Sequence, residues 1–264
     1  MITAVIPAQN EEKRIGFVIR SALEAEIDRI FVIINGSRDR TYDEVESLGD
    51  SRIKSYVFRE SLGIDVPRAI GAFESYRIGA NTVVFVDGDM IGNITPILRN
   101  LIYSIEVLGS DLALTNCYPK IPSSYGLSTY ILNFRYMLNE TLGIYSQVGV
   151  SSPSHGPHAV SRRLLETIPF REMAVPPVVL ALAVKSNLKI HVSSTIPHYK
   201  LGSKTKNPKH AEKIAETIIG DCLEAICVYL GKERHRFFEG HEYIGYHDER
   251  RWDILEEYIK ESSV

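Results

Sequence analysis

Two aspartates separated by a single glycine, Asp87-Gly88-Asp89, follow the apolar run Val83-Val84-Phe85-Val86. Aspartate is a poor strand former. A valine-rich strand that ends on two of them therefore puts charge at its C-terminal edge, where a parallel α/β sheet keeps its ligand site. Two carboxylates so spaced can hold a hard divalent cation, and a cation there can grip a diphosphate. Standing alone, the residues would read as a solvated Asp-Gly turn. They do not stand alone: Pro7-Ala8-Gln9-Asn10-Glu11-Glu12 closes an earlier strand-like run, and Asn35-Gly36-Ser37-Arg38-Asp39-Arg40-Thr41 closes the next. Short polar side chains at strand ends suit a nucleotide's base and ribose. Asn10 and Glu11 are expected to begin a helix, with Asn10 as its N-cap, and Asp39 to cap the helix after Gly36-Ser37 or simply to stabilise that turn.

The elements that must position these residues follow from periodicity. Thr3 to Ala8 reads as a buried strand, and Glu11 to Ala25 carries Ile15, Val18, Ile19, Ala22 and Leu23 at helical spacing. Further strands are expected at Ile30 to Ile34, Ile53 to Phe58 and Val83 to Val86, with a helix from Pro67 to Gly79 before the last. Such alternation predicts an α/β fold with a mostly parallel sheet covered on both faces. Pro96 to Leu108 continues as a helix, Leu112 to Thr115 and Lys189 to Ser193 as strands. The amphipathic stretch Tyr125 to Leu142 is assigned to core packing, with a membrane or subunit surface as the alternative. Residues 1–200 thus read as one catalytic domain and residues 201–264 as a flexible loop with a C-terminal helical extension. Gly202 to Lys209, polar and lysine-rich, is expected to fold over a diphosphate. Helices follow at Ala211 to Leu230 and Arg251 to Ile259, and the spacing of His235, His241 and His247 between them fits no helical metal-binding face.

Composition narrows the class. With 33 acidic against 30 basic side chains and a formal charge of −3, no global basic field argues for nucleic acid. Cys117, Cys222 and Cys227 have neither the number nor the spacing of a disulfide framework or zinc site and read as reduced and structural. The N-terminus enters a strand directly, so no signal peptide is expected, and no apolar run approaches the roughly 20 residues of a membrane span. A cytoplasmic protein is expected, with a homodimer and a peripheral membrane contact left open.

The ordered set Pro7-x-x-Asn10-Glu11-Glu12, Asn35-Gly36-Ser37-x-Asp39-x-Thr41 and Val86-Asp87-Gly88-Asp89 resembles the family 2 glycosyltransferases and their relatives of the GT-A fold, over residues 1 to about 92. The resemblance implies a Rossmann-like nucleotide-diphospho-sugar transferase. Residues matching Pro7, Glu11 and Asp39 line the nucleotide pocket in that family, with Asn10, Asn35 and Ser37 beside them. Those matching Asp87 and Asp89 touch ribose and metal, implying Mn²⁺ or Mg²⁺. Position 35 is often aspartate in the family; Asn35 can still hydrogen-bond a base but carries no charge. Arg68 matches an arginine that commonly precedes the metal strand, although an exposed helix arginine would look the same. A lysine often found near position 64 is absent, so neutralising the diphosphate falls to the metal, to Arg68 or to later basic residues.

The second half narrows the comparison. Pro153 to Phe170 looks like the acceptor-side segment of glucosyl-3-phosphoglycerate synthases, retaining enzymes of the GT-A fold, and Pro197-His198-Tyr199-Lys200 falls where those enzymes carry a metal-binding histidine. His198 is therefore a candidate third ligand, against an ordinary strand-end histidine. One departure matters more than the matches. Inverting relatives carry a carboxylate base, and retaining relatives keep a glutamate, near where this chain reads Ala174-Val175-Pro176-Pro177-Val178-Val179. Inversion needs a group to take the acceptor's proton, for which Glu172 is the nearest carboxylate, whereas a retaining, front-face reaction can pass it to the departing diphosphate; Asp89, through the cation, is the other catalytic candidate. The reading is a metal-dependent transferase moving a sugar from a UDP- or GDP-linked donor to a small or phosphorylated acceptor, leaning to retention. The alternatives are a nucleotide-sugar-binding protein without turnover and an inverting enzyme with a non-standard base. A nucleotidyltransferase ranks behind these, because the first strand opens into an acidic rather than a glycine-rich basic loop.

Overall fold

A computed structural model describes residues 1–121, 126–203 and 207–261. Runs of residues, most of them rich in β-branched side chains, form β1 (Ile2–Ala8), β2 (Arg29–Asn35), β3 (Ile53–Phe58), β4 (Thr82–Phe85), β5 (Leu112–Asn116), β6 (His158–Ser161) and β7 (Ile190–Thr195). They make one sheet in the order β3-β2-β1-β4-β6-β5-β7. The first four strands are mutually parallel. β6 runs antiparallel to both β4 and β5, and β7 is parallel to β5. Six strands therefore end at one edge, and β6 starts there. That edge gathers the loops after residues 8, 35, 58, 85, 116 and 195 with the segment entering β6 at His158.

Ten helices cover the described sheet: α1 (Ile15–Glu24), α2 (Thr41–Glu46), α3 (Val66–Arg77), α4 (Thr95–Glu106), α5 (Leu127–Thr141), α6 (Tyr145–Val148), α7 (Arg162–Thr167), α8 (Pro176–Lys185), α9 (Pro208–Leu230) and α10 (Trp252–Glu261). The twofold alternation of a strand sends Val5 into the core shared with α3, α5, α8 and α9. It sends Ala4 and Ile6 into the opposite core with α1 and α4. The C-terminal segment is no appendage: Ile219, Cys222, Leu223 and Ala225 of α9 and Leu255 of α10 lie in the same core as Val5 and Phe85. α5 buries Leu132, Phe134 and Leu138 and leaves Tyr130 and Tyr136 exposed. The three cysteines are free and buried, and burial pushes the thiols of Cys117 and Cys222 up to about 12. Among the described residues no helix is long and apolar enough to cross a membrane.

Three expectations change. β6 lies inside a stretch with no strand-like pattern and is only four residues long. α1 begins at Ile15 rather than Glu11, because Asn10 takes a left-handed conformation (φ 58°) and Glu11 to Arg14 form a separate turn in which Arg14 N and Ile15 N donate to Glu11 O. The expected mobile loop is partly accounted for. Gly202 packs on Ile91, Asn207 caps α9 through its bond from His210 N, and Pro208 and Lys209 are already helical. Lys204, Thr205 and Lys206 lie outside the described residues.

Gly71 marks the tightest helix-to-strand approach around β1, since a Cβ there would overlap Val5 Cγ1 and Cγ2. Alanine is favoured over glycine in a helix by about 1 kcal/mol, but overpacking against a stiff, buried valine costs about 1–3 kcal/mol. Gly71→Ala should therefore lower the urea midpoint, and Gly71→Ala with Val5→Ala should recover part of the loss. A midpoint that rises in the single variant would show that α3 can lift off β1 freely.

Candidate active site

The loops after β1 and β2 are zipped to each other by the polar residues of their own motifs. Asn10 N donates to Ser37 Oγ (3.0 Å) and Arg38 N to Asn10 Oδ1 (2.8 Å). Glu11 N donates to Thr41 Oγ1 (2.7 Å), Glu12 N to Asp39 Oδ2 (3.1 Å) and Thr41 N to Asp39 Oδ1 (3.0 Å). Burial would raise the Asp39 carboxyl, but the bonds from Thr41 and Glu12 outweigh it and hold Asp39 below its ordinary value. Neither Asn10 nor Asp39 is an N-cap: Arg14 and Arg40 occupy those positions without side-chain caps. Asp39 instead serves the first N–H of α2 from one residue further out. The Glu11 carboxylate, 6% exposed, pairs with Arg14 at 2.6 Å. Asn35 is engaged within the fold. Its Oδ1 accepts from Leu62 N (2.6 Å) and its Nδ2 donates to Gly63 O (3.1 Å), so it staples the next loop. Beside these loops an open cleft of about 450 Å³ is lined by Asn10, Glu12, Lys13, Arg14, Asp39, Ile91 and Gly202, a volume suited to a small-molecule ligand.

Pro7 acts through its carbonyl, which accepts from Gly88 N at 3.1 Å and draws the Asp87-Gly88-Asp89 turn against β1. Asp87 Oδ1 is bound by Arg68 Nη2, and Asp89 Oδ1 accepts from Ser203 Oγ (3.0 Å). Arg68 is buried rather than exposed, and its Nε donates to Asp65 Oδ1 at 2.7 Å. From there an alternating chain of charge runs into the C-terminal segment. Arg250 Nη2 lies 3.7 Å from Asp65 and 2.7 Å from Asp221. Arg236 joins Asp221 (2.7 Å) to Glu224 (3.1 Å), and Arg234 joins Glu224 (3.3 Å) to Glu172 (2.8 Å). Burial, with the neighbouring Asp89 charge, raises the Asp87 carboxyl despite Arg68. Against burial, Arg250 and Arg236 hold Asp221 below its ordinary value.

Glu172 is held by the same chain: Arg234 clamps both of its oxygens, at 2.8 and 3.0 Å. His198 sits in the short turn after β7, its Nδ1 2.9 Å from His155 Nε2, with Tyr118 stacked on both rings. Among the described residues, the trio whose ligand atoms all lie within 4.8 Å of one another is Asp221, Glu224 and His247. Asp87, Asp89 and His198 are not drawn together that closely, since β7 stands three strands from β4. The Asp221 trio is an ion-pair hub: its carboxylates are taken by Arg234, Arg236 and Arg250, and His247 Nδ1 lies 2.9 Å from Arg250 Nη1. A cation would have to displace those guanidiniums. Sequence reasoning missed Arg234, Arg236 and Arg250, whose partners lie in distant parts of the chain.

Comparison with known proteins agrees with this geometry. The model of the family described as glycosyl transferase family 2 matches residues 3–168, a span that holds β1 through β6 and both aspartates. No curated protein matches the sequence. Among solved structures, glucosyl-3-phosphoglycerate synthase from Mycobacterium tuberculosis in complex with uridine diphosphate is similar at a TM-score of 0.62 and 19% identity, over 89% of this chain and 82% of that one. The same enzyme with Mn²⁺, uridine diphosphate and phosphoglyceric acid gives 0.58 and 19%, over 84% and 78%. With Mg²⁺ and uridine diphosphate it gives 0.62 and 18%, over 89% and 81%.

The hub makes a stability prediction. Asp221→Asn leaves two buried guanidiniums short of their shared counter-charge, which should cost about 3–5 kcal/mol at neutral pH. Because the folded-state carboxyl of Asp221 is depressed, its contribution stands above the ordinary carboxylate range and is lost as pH falls through the depressed value. Denaturant curves of wild type and variant should therefore converge toward acid, and a gap independent of pH would assign the loss to packing.

Proposed function

The chain belongs to glycosyl transferase family 2 and carries the GT-A fold, and on that footing we propose that it transfers a sugar from a UDP- or GDP-linked donor to a small phosphorylated acceptor. The observation that carries this reading is the pair Asp87 and Asp89, at the end of β4 beside the open cleft and inside the family-matched span. The structures it resembles were solved with uridine diphosphate, UDP-glucose, phosphoglyceric acid, Mn²⁺ and Mg²⁺, which supports the same ligand classes here.

The residues present fit a divalent cation. Asp87 and Asp89 are coupled carboxylates, one of them raised by burial and by the other's charge, and a hard cation relieves that repulsion. When bound, Mn²⁺ or Mg²⁺ would offset charge building on the departing diphosphate. Arg68 fixes Asp87, Ser203 turns Asp89, and His198, whose Nδ1 meets His155, has its Nε2 to offer as a further ligand. Pro7, Glu11, Asn10 and Asp39 shape the nucleotide side, with Ser37 and Asn35 as its scaffold. A cytoplasmic location belongs to the proposal, supported by three free, buried cysteines.

Asp89→Asn should weaken Mn²⁺-dependent binding of nucleotide diphosphate at least about tenfold while circular dichroism stays unchanged, because a neutral amide is a weaker ligand for a hard cation. Unchanged calorimetric affinity would sink the assignment of the metal to this pair.

The face from which the acceptor attacks decides the stereochemistry, and the group that takes its proton constrains that face. Ala174, Val175, Pro176, Pro177, Val178 and Val179 are buried and apolar, and Glu172 is clamped by Arg234. With no base on that side, the proton passes to the leaving diphosphate on the face where the acceptor attacks, and configuration is retained. Proton NMR of product made from an α-linked donor should show an α-linkage. A β-linked product would return Glu172 to the role of base, and donor binding without any product would favour a nucleotide-sugar-binding protein.

A further inference from the structure

Four arginines are buried among the described residues, and three are ion-paired: Arg68 with Asp65 and Asp87, and Arg236 and Arg250 with Asp221. Arg135, on α5 and 2% exposed, is in no ion pair. Its Nη2 donates to Ser154 Oγ at 3.2 Å, and its enclosed Nε has no acceptor. Burial pulls its pKa down, and the groups that oppose this are the thiols of Cys222 and Cys117 and the Tyr118 phenol, with no carboxylate among them. A buried guanidinium without a counter-anion is costly to keep, and a planar fork of donors is the geometry that carboxylates and phosphates select.

The surroundings suit an anion. Ser154 and His155 are only part-buried, and Ser152 Oγ lies 2.9 Å from Ser154 Oγ. His155 meets His198 at 2.9 Å, and Tyr118 stacks on both. β5 is parallel to β4 and β6 begins beside it, so Tyr118, Ser154 and His155 stand on the same sheet edge as Asp87. β5 is two strands from β4, a lateral offset of about 10 Å.

We propose that Arg135, with Ser154 and His155, forms an anion subsite that receives the phosphate or carboxylate of the sugar acceptor, so that this enzyme glycosylates an acid rather than a neutral alcohol. The proposal rests on the transferase reading above. It adds a recognition residue on α5, outside the strand-end motifs.

Calorimetry on the full chain separates the two. Protein saturated with uridine diphosphate and Mn²⁺ is titrated with 3-phosphoglycerate, glycerate, inorganic phosphate and glycerol. Wild type should bind the phosphorylated acid and not glycerol, and the glycerate and phosphate arms tell which acid group the subsite holds. Arg135→Gln should weaken the anion at least about tenfold and leave uridine diphosphate affinity within about twofold, with Arg135→Lys recovering part of the loss. Equal affinity for 3-phosphoglycerate in wild type and Arg135→Gln would overturn the subsite, as would a parallel loss of uridine diphosphate, which would place Arg135 on the donor. If wild type binds uridine diphosphate but no anion, the subsite fails and the transferase reading stands; if it binds no nucleotide diphosphate, the transferase reading itself fails. Should both variants fail to fold, the Arg135 Nε–H resonance of wild type decides. It should shift on adding phosphate at constant ionic strength, and a resonance that does not move rejects the proposal.

Discussion

The ion pair between Arg68 and Asp87 is the contact on which the rest of the site depends. It sets one carboxylate of the Asp87-Gly88-Asp89 turn, and it is itself set by Asp65, which takes a left-handed conformation (φ 60°) at the start of α3. Asp65 faces Arg250, and Arg250 shares Asp221 with Arg236. From Arg68 to Arg236, which also meets Glu224, each charge thus has an opposite charge on both sides. Exposed pairs contribute at most about 1 kcal/mol, whereas removing one member of a buried chain strands its neighbours at about 3–5 kcal/mol. Orientation of a group at the sheet edge is therefore tied to folding of residues 221–250. Arg251 N donating to Leu62 O at 2.9 Å, and Gly63 packed on the backbone of Glu249, close the same connection through the main chain.

The single reversed strand divides the edge by chemistry. On one side of β6 stand β1, β2 and β4, with the interlocked polar loops and the two aspartates. On the other stand β5 and β7, with Tyr118 and His198. The first side has its polar groups largely spent on one another, which fixes loop shape before any ligand arrives. On the second side the buried Arg135 is in no ion pair among the described residues, and its Nε has no acceptor. Rigid scaffolding on the donor side and unmatched charge on the other are what a two-substrate reaction requires of one sheet edge.

Much of this was legible in the sequence, for a definite reason. Strands such as ITAVIPA and RIFVIIN carry their own burial pattern, and Asp87 and Asp89 stood out because carboxylates contradict the propensity of the strand they end. Periodicity and motif order are local signals. What stayed hidden at two candidate residues was a long-range partner: Asn35 is bonded to a loop 27 and 28 residues away, and Glu172 meets Arg234 across 62 residues. No window of sequence shows that a carboxylate is already taken. β6 escaped because four residues shared between two neighbouring strands need no amphipathic alternation, and Arg135 escaped because an arginine on an amphipathic helix looks solvent-bound until its burial is known.

On the proposed function, retention and an acidic acceptor are parts of one electrostatic problem. In a front-face reaction the acceptor approaches on the side from which the diphosphate leaves, so the negative charge of one substrate converges on that of the other. At about 10 Å and an effective dielectric of 20, each pair of unit charges repels by roughly 2 kcal/mol, and a diphosphate facing a phosphate multiplies that figure. A site without added positive charge would reject its own second substrate. The chain places one buried arginine behind each anion, Arg68 beneath the aspartate turn and Arg135 beneath Ser154 and His155. The proposed reading calls on no carboxylate base in the space between them, since the start of α8 is apolar and Glu172 is paired with Arg234. A carboxylate base in that space would add a third negative charge to the convergence. On the proposed reading, the departing diphosphate then takes the proton of the attacking hydroxyl.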